Sequence, residues 1–323
     1  MRYEIVPYAI AFRRPIVTAA GTWEVRRGAW LKFLSDDGRV GLGEVAPLEP
    51  VGTGQALATA PGRPDYRAAA VDCAQLDIEG QVSGRSIAAL LGAAPRSHVA
   101  VNALVFSTGV DETLAEAAGA ISQGYRSLKL KVAVASPESD IERIRQVRAL
   151  AGAQVGLRID ANGAWDEATA IRVLRAVEDC NLEYVEDPVA GDASSVRAGS
   201  GVPVAADARS AAEAWRVVRG KCADFLILKP AVLGGLRPAS EIAHEAMQAG
   251  ISVVVTSVFE TPVGVAAAAH LAASLPGPER AHGLATVPLL GDCPLDGLDA
   301  PSQGTLRVPD GPGLGVRLRM PES

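Results

Sequence analysis

From His98 onward the chain alternates short apolar runs with helical segments, and this alternation constrains the fold more than any other feature. Apolar runs of strand length lie at Val99–Phe106, Ser127–Val132, Val155–Asp160, Leu182–Glu186, Val202–Ala206, Phe225–Leu228 and Ile251–Thr256. Between them stand segments with helical spacing. In Glu138–Leu150 the residues Ile141, Ile144, Val147 and Leu150 fall along one side, and Gly152 stops the helix. In Asp166–Val177 the residues Ile171, Leu174 and Val177 do the same. A last helix, Val263–Ala273, precedes a weak strand candidate near Gly283–Ala285. About eight strands separated by helices is the count of a closed parallel barrel rather than of an open sheet.

The second feature is what stands at the ends of those runs. In Leu128-Lys129-Leu130-Lys131 two lysines sit two residues apart, so on a strand both face the same way. Two ammonium groups in one interior repel and lose hydration, which only a polar cavity makes tolerable. The next runs end in Asp160, Glu186, Asp207 and Lys229, at intervals of 29, 26, 21 and 22 residues from Lys131 onward. Each interval is one βα unit, and the C-terminal face of such a barrel is where catalytic residues gather. Three carboxylates on neighbouring strands make an oxygen-rich site for a hard divalent cation such as Mg²⁺. Lysines on both sides of it supply a general base and a second cation, the equipment for removing a proton next to a carboxylate. Taken singly, each residue has a plainer explanation: an Asp after a strand caps the next helix, and a strand-end Lys is solvated. The inference rests on five successive strand ends.

Ahead of the barrel, Trp30–Leu34 and Val40–Val45 flank Asp37-Gly38 as a hairpin. Thr18–Thr22 reads as a small polar loop, residues 50–65 as a Gly/Pro/Ala-rich loop, and residues 66–91 as helix broken at Gly84 and Gly92. The tail from Gly291 is rich in Pro and Gly and leaves the alternating pattern. The formal charge of −6, without long runs of one sign, points to neither nucleic acid nor an anionic membrane. Cys73, Cys180, Cys222 and Cys293 are scattered and read as free thiols of a reducing cytosol. No signal peptide stands at Met1–Ile5, and no apolar stretch is long enough to span a bilayer, so the expected location is cytoplasmic.

The order K-x-K, D-x-N, E-D-P, D, K-P resembles the enolase superfamily in its muconate-lactonizing subgroup. Sites of that superfamily use a lysine or histidine base with Mg²⁺ on an enediolate. The resemblance implies an α/β fold: a modified TIM barrel, (β/α)₇β, over residues 98–290, an α+β capping domain over 1–97, and a tail over 291–323 that returns to the cap. Within the subgroup the chain is most similar to the o-succinylbenzoate synthases of actinobacterial type, through its short length, Thr18–Trp23 and Thr256–Thr261. Carried over, Asp160, Glu186 and Asp207 are metal ligands, Lys131 the base, Lys129 its partner, and Lys229 the cation across the substrate. Asn162 lies beside the ligands or the substrate. The implied reaction is a Mg²⁺-dependent dehydration in menaquinone biosynthesis, a lyase acting on a small carboxylate, with the oligomeric state, monomer included, left open. One departure is Ala208, where the subgroup usually carries Glu after the fifth-strand Asp.

Alternatives remain. The same parts serve a racemase of N-acyl amino acids or an epimerase of dipeptides, a metal-free Schiff-base enzyme would use Lys229, and a barrel can be a binding module. Ser257, Glu260 and Gly234 either line the pocket or only shape strand ends and turns. Arg14 and Thr18–Gly21 are candidates for a lid over the substrate. His98, His244, His270 and His282 fit no ligand spacing and read as structural or surface residues.

Overall fold

The computed structural model describes residues 2–18, 21–47 and 64–319. Three antiparallel strands open the chain: β1 (Arg2–Thr18), β2 (Gly21–Leu34) and β3 (Val40–Val45), in that order across the sheet. The Asp37-Gly38 hairpin forms as expected, with Gly38 at φ +86° and Leu34 opposite Val40. Thr18–Thr22, expected as a loop, is instead mostly strand: Thr18 faces Gly21 and Val17 faces Thr22 across a second hairpin. β-branched Val17 and Thr22 favour the pleat over a loop. Ala19 and Ala20, and the predicted loop's residues 48–63, lie outside the described residues.

Helix α1 (Tyr66–Ser83) covers the sheet, and the short α2 (Ile87–Leu91) packs beside it on the helix Pro262–Ser274. Asp65 and Ser86 cap their first turns, and Gly84 ends α1 in the left-handed region. Gly41 and Gly43 of β3 let the helix approach: a Cβ on either would stand about 2 Å from a backbone oxygen of α1.

The barrel begins one step later than the sequence suggests. The run Val99–Phe106 splits at Asn102. Its first part, β4 (His98–Ala100), pairs antiparallel with the tail segment Thr305–Arg307. Its second part, β5 (Ala103–Val105), starts a seven-stranded parallel sheet. That sheet continues through β6 (Ser127–Lys131), β7 (Gly156–Asp160), β8 (Tyr184–Glu186), β9 (Val204–Asp207), β10 (Phe225–Leu228) and β11 (Ser252–Val255). The weak eighth strand is reduced to two residues. His282 bridges Val101 and Gly283 bridges Thr256, with four backbone bonds of 2.8–3.1 Å joining the first and last strands. Gly283 brings no side chain into a place where a Cβ would strike Thr256.

Two cores result. Outside the sheet, residues such as Leu128, Leu130, Ile144, Val147, Leu157 and Ile159 are fully buried between strands and helices. Leu150, expected on the same side, is exposed; the helix that carries it, α3 (Pro137–Ala151), is near its end there and has left the sheet. Inside the barrel, Tyr184, Ala205, Ile227 and Val254 form a small separate cluster. Arg158 lies fully buried beside it, with its guanidinium 4.9 Å from the Tyr184 ring and bonded to Glu183, Asn102 and the carbonyl of Ala281. The floor of the barrel is therefore closed by packed side chains.

Cap and barrel share buried carboxylates. Glu44 of β3 accepts from the N–H groups of Thr261 (3.0 Å) and Gly264 (2.9 Å), which open the helix Pro262–Ser274. Asp72 of α1 accepts from Leu236 (2.7 Å) and Arg237 (3.0 Å), which open the helix Leu236–Gln248. Each cap carboxylate thus neutralises a helix N-terminus of the barrel. The tail completes the junction: Leu314 N–H donates to Asp77 of α1, and Gly313 is bonded to both Arg85 and Ile87.

Candidate active site

Parallel register puts the predicted residues in rows. Lys129 stands opposite Arg158, and Arg158 opposite Tyr184; one step further, Lys131 stands opposite Asp160, and Asp160 opposite Glu186. Alternation does the rest: Leu128 and Leu130 face the helices while both lysines face the barrel. Arg158 and Tyr184 of the lower row make the floor, and the upper row, which the Lys129 ammonium reaches, makes the mouth.

The charges meet there. Lys129 Nζ lies 2.6 Å from Glu186 Oε1 and 2.9 Å from Asp160 Oδ2. Lys131 Nζ reaches the same Asp160 oxygen at 3.4 Å. Lys229, just past β10, donates to Asp207. Asp160, Glu186 and Asp207 are all buried, and the lysine side chains are only 12–21% exposed. All six residues expected at the mouth are thus brought together on one side of the sheet.

Their environment separates the lysines. Burial works against the ammonium of Lys129, but Asp160 and Glu186 outweigh it and hold Lys129 well above the usual lysine range. Burial likewise opposes Lys229, and Asp207 and then Glu186 raise it. Lys131 goes the other way. Burial pulls it below the usual range; Asp160 works against that pull, and the neighbouring Lys129 ammonium works with it. Of the three, Lys131 is the one moved toward use as a base.

The carboxylates are also unequal. Burial disfavours Asp160, yet Lys129 and Lys131 hold it well below the usual carboxylate range. Burial pushes Glu186 up to about 7; Lys129 opposes the rise, and Asp160 and Asp207 add to it. Asp187, beside Glu186, is pushed up to about 6, by burial and then by Asp207. As they lie, no three acidic, histidine or cysteine side chains among the described residues close on one point, because ammonium groups stand between the carboxylates. Still, Glu186 Oε2, Asp207 Oδ1 and Asn162 Oδ1 are buried without a hydrogen-bond partner. Buried anionic oxygens without donors are costly. An oxygen set short of positive charge is the donor chemistry that Mg²⁺ takes, so the residues fit that ion.

The remaining expected contacts are less central. Asn162 has φ +48° and its N–H donates to Asp160 Oδ1 at 3.0 Å, which fixes that carboxylate. The Ser257 hydroxyl is engaged with Thr286 at 2.7 Å and accepts from Phe259 N–H at 3.3 Å. Gly234 ends the short helix Pro230–Leu233 at φ +90°, and a Cβ on neighbouring Gly235 would strike Asp72 of the cap. The glycine pair thus has a packing reason of its own. Thr18 and Gly21 pair across their hairpin. Arg14 is bonded to Glu116 at 2.5 Å and lies over the Phe106 ring, tying the cap to the loop after β5. Glu260 is buried and pushed up to about 7, chiefly by burial and then by Glu44, and it accepts from Val258 N–H. His270 and His282 are buried, each bonded to backbone, and serve packing.

Residues 112–323 match the family model described as "Enolase C-terminal domain-like". The chain belongs to the enolase superfamily. Among superfamily relatives, an o-succinylbenzoate synthase of Thermobifida fusca is 41% identical over 66% of this chain and 67% of its own length. An L-Ala-D/L-Glu epimerase of Bacillus subtilis is 29% identical across 98% of this chain and 96% of its own. A substrate-liganded structure of that epimerase superposes with a TM-score of 0.89 at 27% identity, covering 98% of both chains. A dipeptide epimerase from Enterococcus faecalis, solved with Mg and a dipeptide, superposes with a TM-score of 0.88 at 25% identity, also covering 98% of both. The superfamily fold, a barrel sheet of seven parallel strands with an antiparallel cap, is the one expected. No helix among the described residues is long and apolar enough to cross a membrane.

Proposed function

We propose that the protein is an o-succinylbenzoate synthase: a Mg²⁺-dependent lyase that dehydrates 2-succinyl-6-hydroxy-2,4-cyclohexadiene-1-carboxylate to o-succinylbenzoate. The observation that carries this reading is Lys131, a half-buried lysine lowered toward use as a base, facing a carboxylate triad with Lys229 beyond it. The 41% identity to a synthase supports the choice within the superfamily.

Asp160, Glu186 and Asp207 would hold the metal through the oxygens that lack donors. Bound there, Mg²⁺ would stabilise the second negative charge that the substrate carboxylate gains on deprotonation. Lys131 Nζ takes the proton from the carbon next to that carboxylate. Lys129, kept charged by Asp160 and Glu186, stays an ammonium and keeps its neighbour's proton affinity low. The Lys229 ammonium faces the developing enediolate from the other wall. The ring C–O bond then breaks, and Lys131 returns its proton to the departing hydroxide, so water leaves and the ring becomes aromatic.

A second reading is a racemase or epimerase, supported by the full-length match to the B. subtilis epimerase. There Lys131 and Lys229 would exchange one proton from opposite faces. The test is formation of o-succinylbenzoate with and without Mg²⁺, beside α-proton exchange of an N-succinyl amino acid in D₂O. Rapid exchange without dehydration would reject the synthase reading.

A further inference from the structure

Behind the lysine strand, away from the mouth, lies a second buried ion pair. Asp140 and Arg143 sit on the first turns of α3, with both side chains 0% exposed and Nη1 3.1 Å from Oδ1. The helix does not need them as caps: Ser136 already accepts from Ser139 N–H, and Glu138 adds negative charge in the first turn. Nor does stability explain them, since apolar residues of similar volume generally serve a core as well or better.

What the pair does is grip backbone. Arg143 Nη2 donates to the carbonyl of Lys131 at 3.0 Å and to that of Ser107 at 2.5 Å. Asp140 Oδ2 accepts from Ala133 N–H at 2.8 Å. Ala133 is held at φ +61°, a conformation that alanine rarely adopts unless its surroundings impose it. Arg143 Nε is in turn fixed by Thr113 Oγ1 at 3.0 Å, whose hydroxyl is anchored on Gly109 and Ser107 carbonyls. The chain is thus clamped at the Lys131 carbonyl and just beyond it at Ala133, and tied there to the loop at Ser107.

The three mouth lysines differ in how their tips are held. Lys129 has two carboxylate contacts of 2.6 and 2.9 Å, and Lys229 a direct one to Asp207. Lys131 has a single contact of 3.4 Å. A base must leave its tip free to meet a proton, so its direction has to be set at the root. We propose that Asp140 and Arg143 are positioning residues for the proton transfer: they fix the backbone around Lys131 and so aim its ammonium group across the mouth. The inference rests on the reading of Lys131 as the base.

The test uses the full chain with Asp140→Leu and Arg143→Met combined, which removes the pair without stranding a charge. It is run on whichever of the two carbon acids above the wild type turns over, beside Lys131→Ala. The expected result is a folded protein whose kcat falls about 100-fold with KM unchanged, the loss typical of a misplaced reacting group. Deuterium uptake at the amide of Ala133 should rise in the same variant. Thr113→Ser should keep the wild-type kcat, while Thr113→Val, equal in shape but without the hydroxyl, should lower it. This pair carries the test should the double variant not fold. A folded double variant with wild-type kcat, beside an inactive Lys131→Ala, would overturn the positioning role alone. An active Lys131→Ala would overturn the base assignment first.

Discussion

Strand β6 divides two buried sets of charges. On its outer side, Asp140 and Arg143 have their bonds to each other, to Thr113 and to three backbone groups. On its inner side, Glu186 and Asp207 each keep a buried oxygen without a donor. Both sets are equally hidden from water, so burial does not tell them apart. Satisfaction does. A scaffold consumes all its hydrogen-bonding capacity, whereas a site for an ion or substrate must hold some in reserve.

Several measurements would sharpen or break this contrast. The largest effect belongs to the inner set. Lys131→Ala should lower turnover, or α-proton exchange in D₂O, by roughly 10²–10⁴-fold with little change in thermal stability. Next, Glu186→Gln should weaken Mg²⁺ binding by more than the ~10–100-fold typical of residues that only support a ligand, read by calorimetry. Metal affinity equal to wild type would dissolve the distinction between the two sets. The outer set should answer in stability as well as in turnover. Arg143→Met alone strands Asp140 and should cost about 3–5 kcal/mol in denaturant unfolding. Adding Asp140→Leu should recover most of that loss, and a double variant no better than the single would mean that the pair is needed for folding itself.

The smallest effect concerns pH. Burial holds His270 down to about 4 and His282 to about 3, against an ordinary 6.5. The unfolded chain therefore takes up protons that the folded chain refuses. The contribution of the two histidines to stability should be full above pH 6.5 and fall below it, by up to ~1.4 kcal/mol per pH unit for each, against the opposite trend of the raised Glu186, Asp187 and Glu260. His270→Gln should flatten that slope by one proton; an unchanged slope would remove His270 from the account.

The inner set was legible in the sequence because each member follows a run of apolar residues and the runs recur at one βα unit. The same alternation, taken one step back, also finds Arg158 and Tyr184, each two residues before a mouth carboxylate. An arginine inside an apolar barrel looks improbable until Tyr184 and Glu183 are seen around it. The outer pair had no such signal. In Ser136–Arg148 most polar positions are charged, and only packing shows that Asp140 and Arg143 turn inward while Glu138 stays exposed. The split of Val99–Phe106 was hidden for a similar reason, because the partner of its first half is some 200 residues away in the tail.

That distant pairing bears on how the molecule is made. Asp77 accepts from Leu42 at 2.9 Å and from Leu314 at 2.9 Å, so one carboxylate closes over the start of the chain and a stretch near residue 314. During synthesis the cap sheet and α1 emerge first, but their last partners follow only after every barrel strand. Until then Asp77 Oδ1 lacks the Leu314 donor, and the apolar faces around it stay open to chaperones or to other nascent chains. Maturation should be decided late, at the moment the tail locks onto the cap.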